Sequence, residues 1–110
     1  MMVLSYDELI MKQETELDAL TSFYKLLANE SRLAILLALR DGEDNVAGIC
    51  GQTGLSQTLV SHQLAALRCS DVVRSRRDGR RTFYSLADKH IDIIVGFALD
   101  HLAEKEVHHE

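Results

Sequence analysis

Four side chains toward the C-terminus have the chemistry to hold a metal ion: Asp88, His90, His101 and Glu104. Two imidazoles and two carboxylates make a tetrahedral nitrogen and oxygen set, suited to zinc or cobalt and poor for soft thiophilic ions. Their spacing restricts how they can meet. His90 and His101 are 11 residues apart, which on a helix points them to within about 20° of each other but separates them by about 16 Å along the axis. One ion cannot join them within one straight helix. An antiparallel pair of such helices across a twofold axis would set Asp88 and His90 of one chain beside His101 and Glu104 of the other, giving two equivalent sites per dimer. The same residues also suit two partly exposed histidines on an amphipathic helix. His108 and His109 follow as a frayed tail or as extra ligands for an ion of higher coordination.

A second constellation has the chemistry of nucleic-acid recognition. The formal net charge is -5, yet Arg68, Arg74, Arg76, Arg77, Arg80 and Arg81 supply half of the 12 basic residues and are opposed within that segment only by Asp71 and Asp78. Screening limits the reach of distant carboxylates to about 10 Å at moderate salt, so this local field can still steer a polyanion. Just before it, Gln57, Thr58, Ser61, His62 and Arg68 lie opposite an apolar stripe of Val60, Leu64 and Leu67. Short hydrogen-bonding side chains near a helix N-terminus suit base edges in a major groove, whereas a merely solvated face would carry more Glu and Lys.

The elements that must position these groups are legible. Apolar residues from Tyr6 to about Leu27 recur at three- and four-residue steps, predicting one helix, or two broken near Thr21 and Ser22. Asn29 is a plausible N-cap for a helix carrying the unbroken apolar run Leu33 to Leu39, which must be central to the core. A short helix then ends at Gly54, in a left-handed turn position, and Ser56 caps a new helix to about Cys69. Two alternating segments, from Val72 and from Thr82, flank Asp78-Gly79 and predict a β-hairpin with arginines around its tip. Arg76, Arg77 and Arg80 there suit phosphates or a minor groove. A last amphipathic helix runs from about Asp88 to Glu104 and is apolar enough to want a partner.

The expected architecture is therefore mainly α with a small β-hairpin, a dimeric winged helix-turn-helix. A single domain spans 1–110: N-terminal helices and dimer contacts over 1–28, helix-turn-helix over 46–69, wing over 72–86, and a dimerisation and metal-sensing helix over 88–106. Cys50 and Cys69 are too few and wrongly spaced for a disulfide framework, which points to a reducing, cytoplasmic setting. The N-terminus has no basic start or long apolar stretch, so neither export nor membrane insertion is expected. The glycine spacing Gly48, Gly51, Gly54 is not a phosphate loop, and no His-Glu-x-x-His or nucleophile elbow is present, so an enzyme is not expected.

These features together resemble the ArsR/SmtB family of bacterial metal-responsive winged-helix repressors. The likeness covers roughly residues 23–104. It rests on Leu26-Leu27-Ala28-Asn29-Glu30-Ser31-Arg32-Leu33, on Leu55-Ser56-Gln57 with Val60-Ser61-His62-Gln63-Leu64, and on Arg76-Arg77-Asp78-Gly79-Arg80 followed by Tyr84-Ser85-Leu86. The resemblance implies a homodimer that holds a palindromic double-stranded operator when metal-free and releases it on binding metal. It implies a zinc-type site at Asp88, His90, His101 and Glu104, with cobalt or nickel as possible alternatives. The family's other, cysteine-based site would fall on Asn45, Ala47 and Gly48, which departs from the thiolate pattern. A repressor of the same fold answering a redox or small-molecule signal through Cys50 or Cys69 is the alternative.

Overall fold

A computed structural model of the chain describes residues 3–107. Its elements run α1 (Tyr6–Leu27), α2 (Glu30–Arg40), β1 (Asp44–Asn45), α3 (Val46–Thr53), α4 (Gln57–Cys69), β2 (Val73–Asp78), β3 (Arg81–Leu86) and α5 (Lys89–Val107). Helix starts follow local capping chemistry. Ser5 and Glu8 form a reciprocal capping box at α1. The Asn29 side chain accepts from the Arg32 N–H at 3.0 Å, Asn45 from Gly48 at 2.8 Å and Ser56 from Leu59 at 3.1 Å. Each satisfies a backbone donor that the first turn leaves without an intrahelical partner. Gly54 ends α3 at φ +75°, a conformation that a side chain would strain.

The structure settles one alternative and adds one element. Of the one or two helices expected at the start, there is one: α1 passes through Thr21 and Ser22 without a break, because nothing in that stretch removes a helical hydrogen bond. The hairpin acquires a third strand: β1 pairs antiparallel with β3, Asp44 opposite Tyr84 and Asn45 opposite Phe83, giving the order β1-β3-β2. Two residues carry too little periodicity to be read as a strand, and only the partner edge defines them. Between β2 and β3, Asp78 pairs with Arg81, so Gly79 and Arg80 form a two-residue turn with Gly79 at φ +65°.

The core is assembled from α2, α3, α4 and the base of the hairpin. Ile35, Leu36, Ile49, Val60, Leu64, Leu67, Val72 and Val73 are fully buried, each aliphatic side chain contributing about 1.5–3 kcal/mol of transfer free energy. α1 contributes Leu27 to it, and α5 contributes Ile91, with Val95 also buried. Much of the apolar surface on these two helices stays open, including Leu9, Leu17, Leu20, Tyr24, Ile93, Phe97 and Leu102. The molecule is accordingly flat, 52 × 49 × 24 Å, with a radius of gyration of 17.6 Å, against about 13 Å for a compact chain of this length. Among the described residues no helix is long and apolar enough to cross a membrane.

Candidate functional site

α4 presents its polar residues as the spacing predicts. Val60, Leu64 and Leu67 are buried, while Gln57, Thr58, Ser61, His62 and Arg68 are exposed on the remaining surface. The turn that Gly54 permits, with Leu55 packed against the core and Ser56 capping the helix, sets α4 against α3. The result is an exposed row of hydrogen-bonding groups near the start of a helix that is firmly held from behind.

The wing arginines are not equivalent. The Arg76 guanidinium is committed to Glu43, whose carboxylate it meets at 2.6–2.9 Å through both Nε and Nη2. It also lies 4.8 Å from the centre of the Phe83 ring and 3.8 Å from Asp78. The hydrogen bond from Arg76 holds the Glu43 carboxyl below the usual carboxylate range, and Glu43 correspondingly raises Arg76. This pair fastens the wing to the loop before β1. Arg68, Arg77 and Arg80 are exposed and form no ion pair among the described residues. In the β2–β3 ladder Arg77 sits opposite Thr82, on the face whose base is Val73 and Leu86, whereas Arg76 sits opposite Phe83 on the other face. Alternation along the strand thus separates an anchoring arginine from a free one.

A buried polar residue, to which the sequence assigns no role beyond its place in the α4 motif, lies beneath this surface. Gln63 is only 7% exposed within the apolar stripe of α4. Its Oε1 accepts from Arg32 Nε at 2.8 Å and its Nε2 donates to Ser31 Oγ at 2.9 Å. The available signal was a glutamine at a stripe position together with the polar Asn29, Ser31 and Arg32 at the start of α2. Pairing them required the α2–α4 packing.

At the other end, Asp88 caps α5: its Oδ1 accepts from the His90 N–H at 2.8 Å and from the Ile91 N–H at 3.2 Å. His90 Nδ1 lies 3.5 Å from the same oxygen. His90, His101 and Glu104 are exposed. Among the described residues no three His, Cys, Asp or Glu side chains gather within one chain as an ion would need. The donor chemistry fits a borderline divalent ion, and Asp88 and both imidazoles are exposed, but one chain does not assemble the set. His108 and His109 lie outside the described residues. Beside these groups, Tyr24, Leu27, Leu33, Leu37, Ile94 and Leu99 belong to the wall of an open apolar groove of about 320 Å³ between α1, α2 and α5. Cys50 is half-buried against the core and Cys69 is exposed at the end of α4, both as free thiols.

A helix-turn-helix with an adjoining β-hairpin defines a winged helix-turn-helix regulator fold. Residues 29–75 match the bacterial regulatory protein, arsR family. The chain is 38% identical over 87 residues to a transcriptional repressor SmtB homolog of Synechocystis, and 40% identical over 80 residues to the HTH-type transcriptional regulator NmtR of Mycobacterium tuberculosis. These matches take in 79% and 73% of this chain, and 66% and 67% of the relatives' own lengths. The solved homodimeric winged helix-turn-helix DNA-binding domain of a possible ArsR-family transcriptional regulator from Mycobacterium bovis superposes with a TM-score of 0.78 at 30% identity, over 100% of this chain and 96% of that one. The chain therefore belongs to the ArsR family, whose members are regulators and not enzymes.

Proposed function

We propose that this protein is a homodimeric transcriptional repressor that binds a palindromic operator and releases it when zinc, or a similar divalent ion, occupies two sites shared between the subunits. The observation that carries the DNA reading is the exposed polar row of α4 backed by a buried stripe, with Arg77 and Arg80 free on the neighbouring wing. Gln57, Thr58, Ser61 and His62 address base edges; Arg68, Arg77 and Arg80 address phosphates. Arg76 joins them as a wing residue whose first role is to hold the hairpin in place.

The dimer reading is supported by the open apolar surface of α1 and α5 and by the homodimeric M. bovis structure. For the effector, Asp88 and His90 of one chain with His101 and Glu104 of its partner supply the ligands. A bound divalent ion contributes charge and a fixed coordination geometry. The four residues then hold the two α5 helices in one relative setting. A setting in which the two α4 helices no longer match successive major grooves loses DNA affinity, and DNA lowers ion affinity by the same factor. A coupling of about 1–3 kcal/mol gives a 5- to 150-fold response.

A mobility-shift titration on the DNA upstream of the protein's own gene, with a divalent metal panel and a peroxide arm, tests this reading. Zinc-dependent release that His101→Ala abolishes, with metal-free DNA binding intact, supports it. Release by peroxide alone, with no metal response, replaces the effector assignment by thiol chemistry at Cys50 or Cys69.

A further inference from the structure

Gln63 occupies a place where an apolar side chain would pack without needing partners. Val60, Leu64 and Leu67 around it are fully buried. A buried amide must be hydrogen-bonded or it costs free energy, and here both ends are satisfied by α2: Arg32 Nε donates to its oxygen and Ser31 Oγ accepts from its nitrogen. The partners are themselves held. Ser31 Oγ donates to Asn29 Oδ1 at 2.7 Å, and that same oxygen caps α2 through the Arg32 N–H. Arg32 Nη1 donates at 3.2 Å to the carbonyl of Leu26, in the last turn of α1. That carbonyl is one of those a helix end leaves without an intrahelical donor.

The network therefore joins three helices at one point. Apolar packing tolerates small slides and rotations of a helix, whereas hydrogen bonds with fixed donor and acceptor directions do not. A side chain that reads base edges must be placed to within about 0.5 Å and 10–20°. We propose that Gln63 is a positioning residue for DNA reading: through Arg32 it sets the rotation of α4 against α2 and the end of α1, and so aims Gln57, Thr58, Ser61 and His62. Gln63 touches no DNA in this scheme. Because Arg32 also grips α1, a helix with open apolar surface for a partner, the same joint ties the aim of α4 to the seating of the dimer. The inference rests on the proposed DNA-binding function, so its test carries one measurement that needs no DNA.

Gln63→Met keeps the side-chain volume and removes both hydrogen bonds; Gln63→Glu keeps an acceptor for Arg32, and the Ser31 hydroxyl can turn to it only by leaving Asn29 Oδ1, which still accepts from the Arg32 N–H. Hydrogen exchange on the full-length protein is the DNA-free arm. Gln63→Met should speed exchange across α4 at least tenfold, with α2 and α3 unchanged and the melting temperature within a few degrees of the parent. Gln63→Glu should restore slow exchange. Equilibrium binding is the second arm: Gln63→Met should lose about tenfold or more for the operator, with affinity for random DNA and its salt slope unchanged, and Gln63→Glu should recover most of the loss. Parental exchange in Gln63→Met, or an equal loss on operator and random DNA, overturns the positioning role. If the parent itself fails to distinguish the operator from random DNA, the functional reading falls, while the exchange arm still decides whether Gln63 orders α4.

Discussion

Around α4 and the wing, one chain completes its own polar chemistry: Gln63 meets Arg32 and Ser31, Arg76 meets Glu43, and each helix start finds a cap. Along α1 and α5 the same chain leaves its business unfinished. Phe97 is 70% exposed and Leu37, between the buried Leu36 and Ala38 of α2, is 40% exposed. The four candidate ligands are spread along α5 without converging. A surface that addresses an external polyanion can be built from one chain because its partner is already polar and brings its own groups. In the proposed reading the α1 and α5 surface is for a second copy of the chain, so it offers apolar area and half-sites that symmetry would complete.

The strongest way to break this contrast is a mixed dimer. One chain carries Asp88→Ala with His90→Ala, and the other His101→Ala with Glu104→Ala. Each homodimer should lack tight zinc, whereas the heterodimer should regain one tight site per dimer, read by competition with a chromogenic chelator. A mass-verified heterodimer with no tight zinc would show that the ligands are not shared.

Next in size is the apolar face. Leu99→Glu places a charge in the groove beside Leu37 and Leu102, and burying it unpaired in an interface costs about 3–5 kcal/mol. The dimer dissociation constant should rise by at least about 100-fold, with the helical content of each chain retained. Sedimentation across a concentration series measures it, and a dimer of parental strength would assign the groove elsewhere.

A smaller effect separates the wing arginines from one another. Arg77→Ala with Arg80→Ala should weaken operator and random DNA alike and flatten the log-log salt dependence by about one unit per lost phosphate contact. Arg76→Ala should change that slope less, because its guanidinium is already neutralised by Glu43, and should instead loosen the hairpin. Equal slopes for the two variants would erase the distinction between anchor and free arginine.

The smallest is a pH test of the anchor. Because Arg76 holds the Glu43 carboxyl below the usual carboxylate range, the pair contributes stability above the unfolded carboxylate value, about 4.3, and loses it only as pH falls through the lower folded one. The Phe83 ring resonances should therefore stay constant from about pH 8 to pH 5 and move only in more acidic solution. Movement near neutrality would mean that another group anchors the wing.

Much of this was legible from residue order because it depends on neighbours along the chain. Asn29, Ser56 and Gly54 mark helix ends through contacts no more than a few residues away, and Asp78-Gly79 marks the hairpin for the same reason. The polar row on α4 follows from helical period alone. The 11-residue interval between His90 and His101 already excluded a site on one helix, since a helix has a fixed rise. Tertiary structure decided what needed distant partners. Nothing in the run of arginines distinguishes Arg76 from Arg77 until Glu43, 33 positions away, meets one of them. Nothing marks Gln63 as more than a polar interruption until α2 brings Arg32 and Ser31 to it across 31 and 32 positions. Helical and strand periods report which face a residue takes, and only the packing of those faces reports what it meets there.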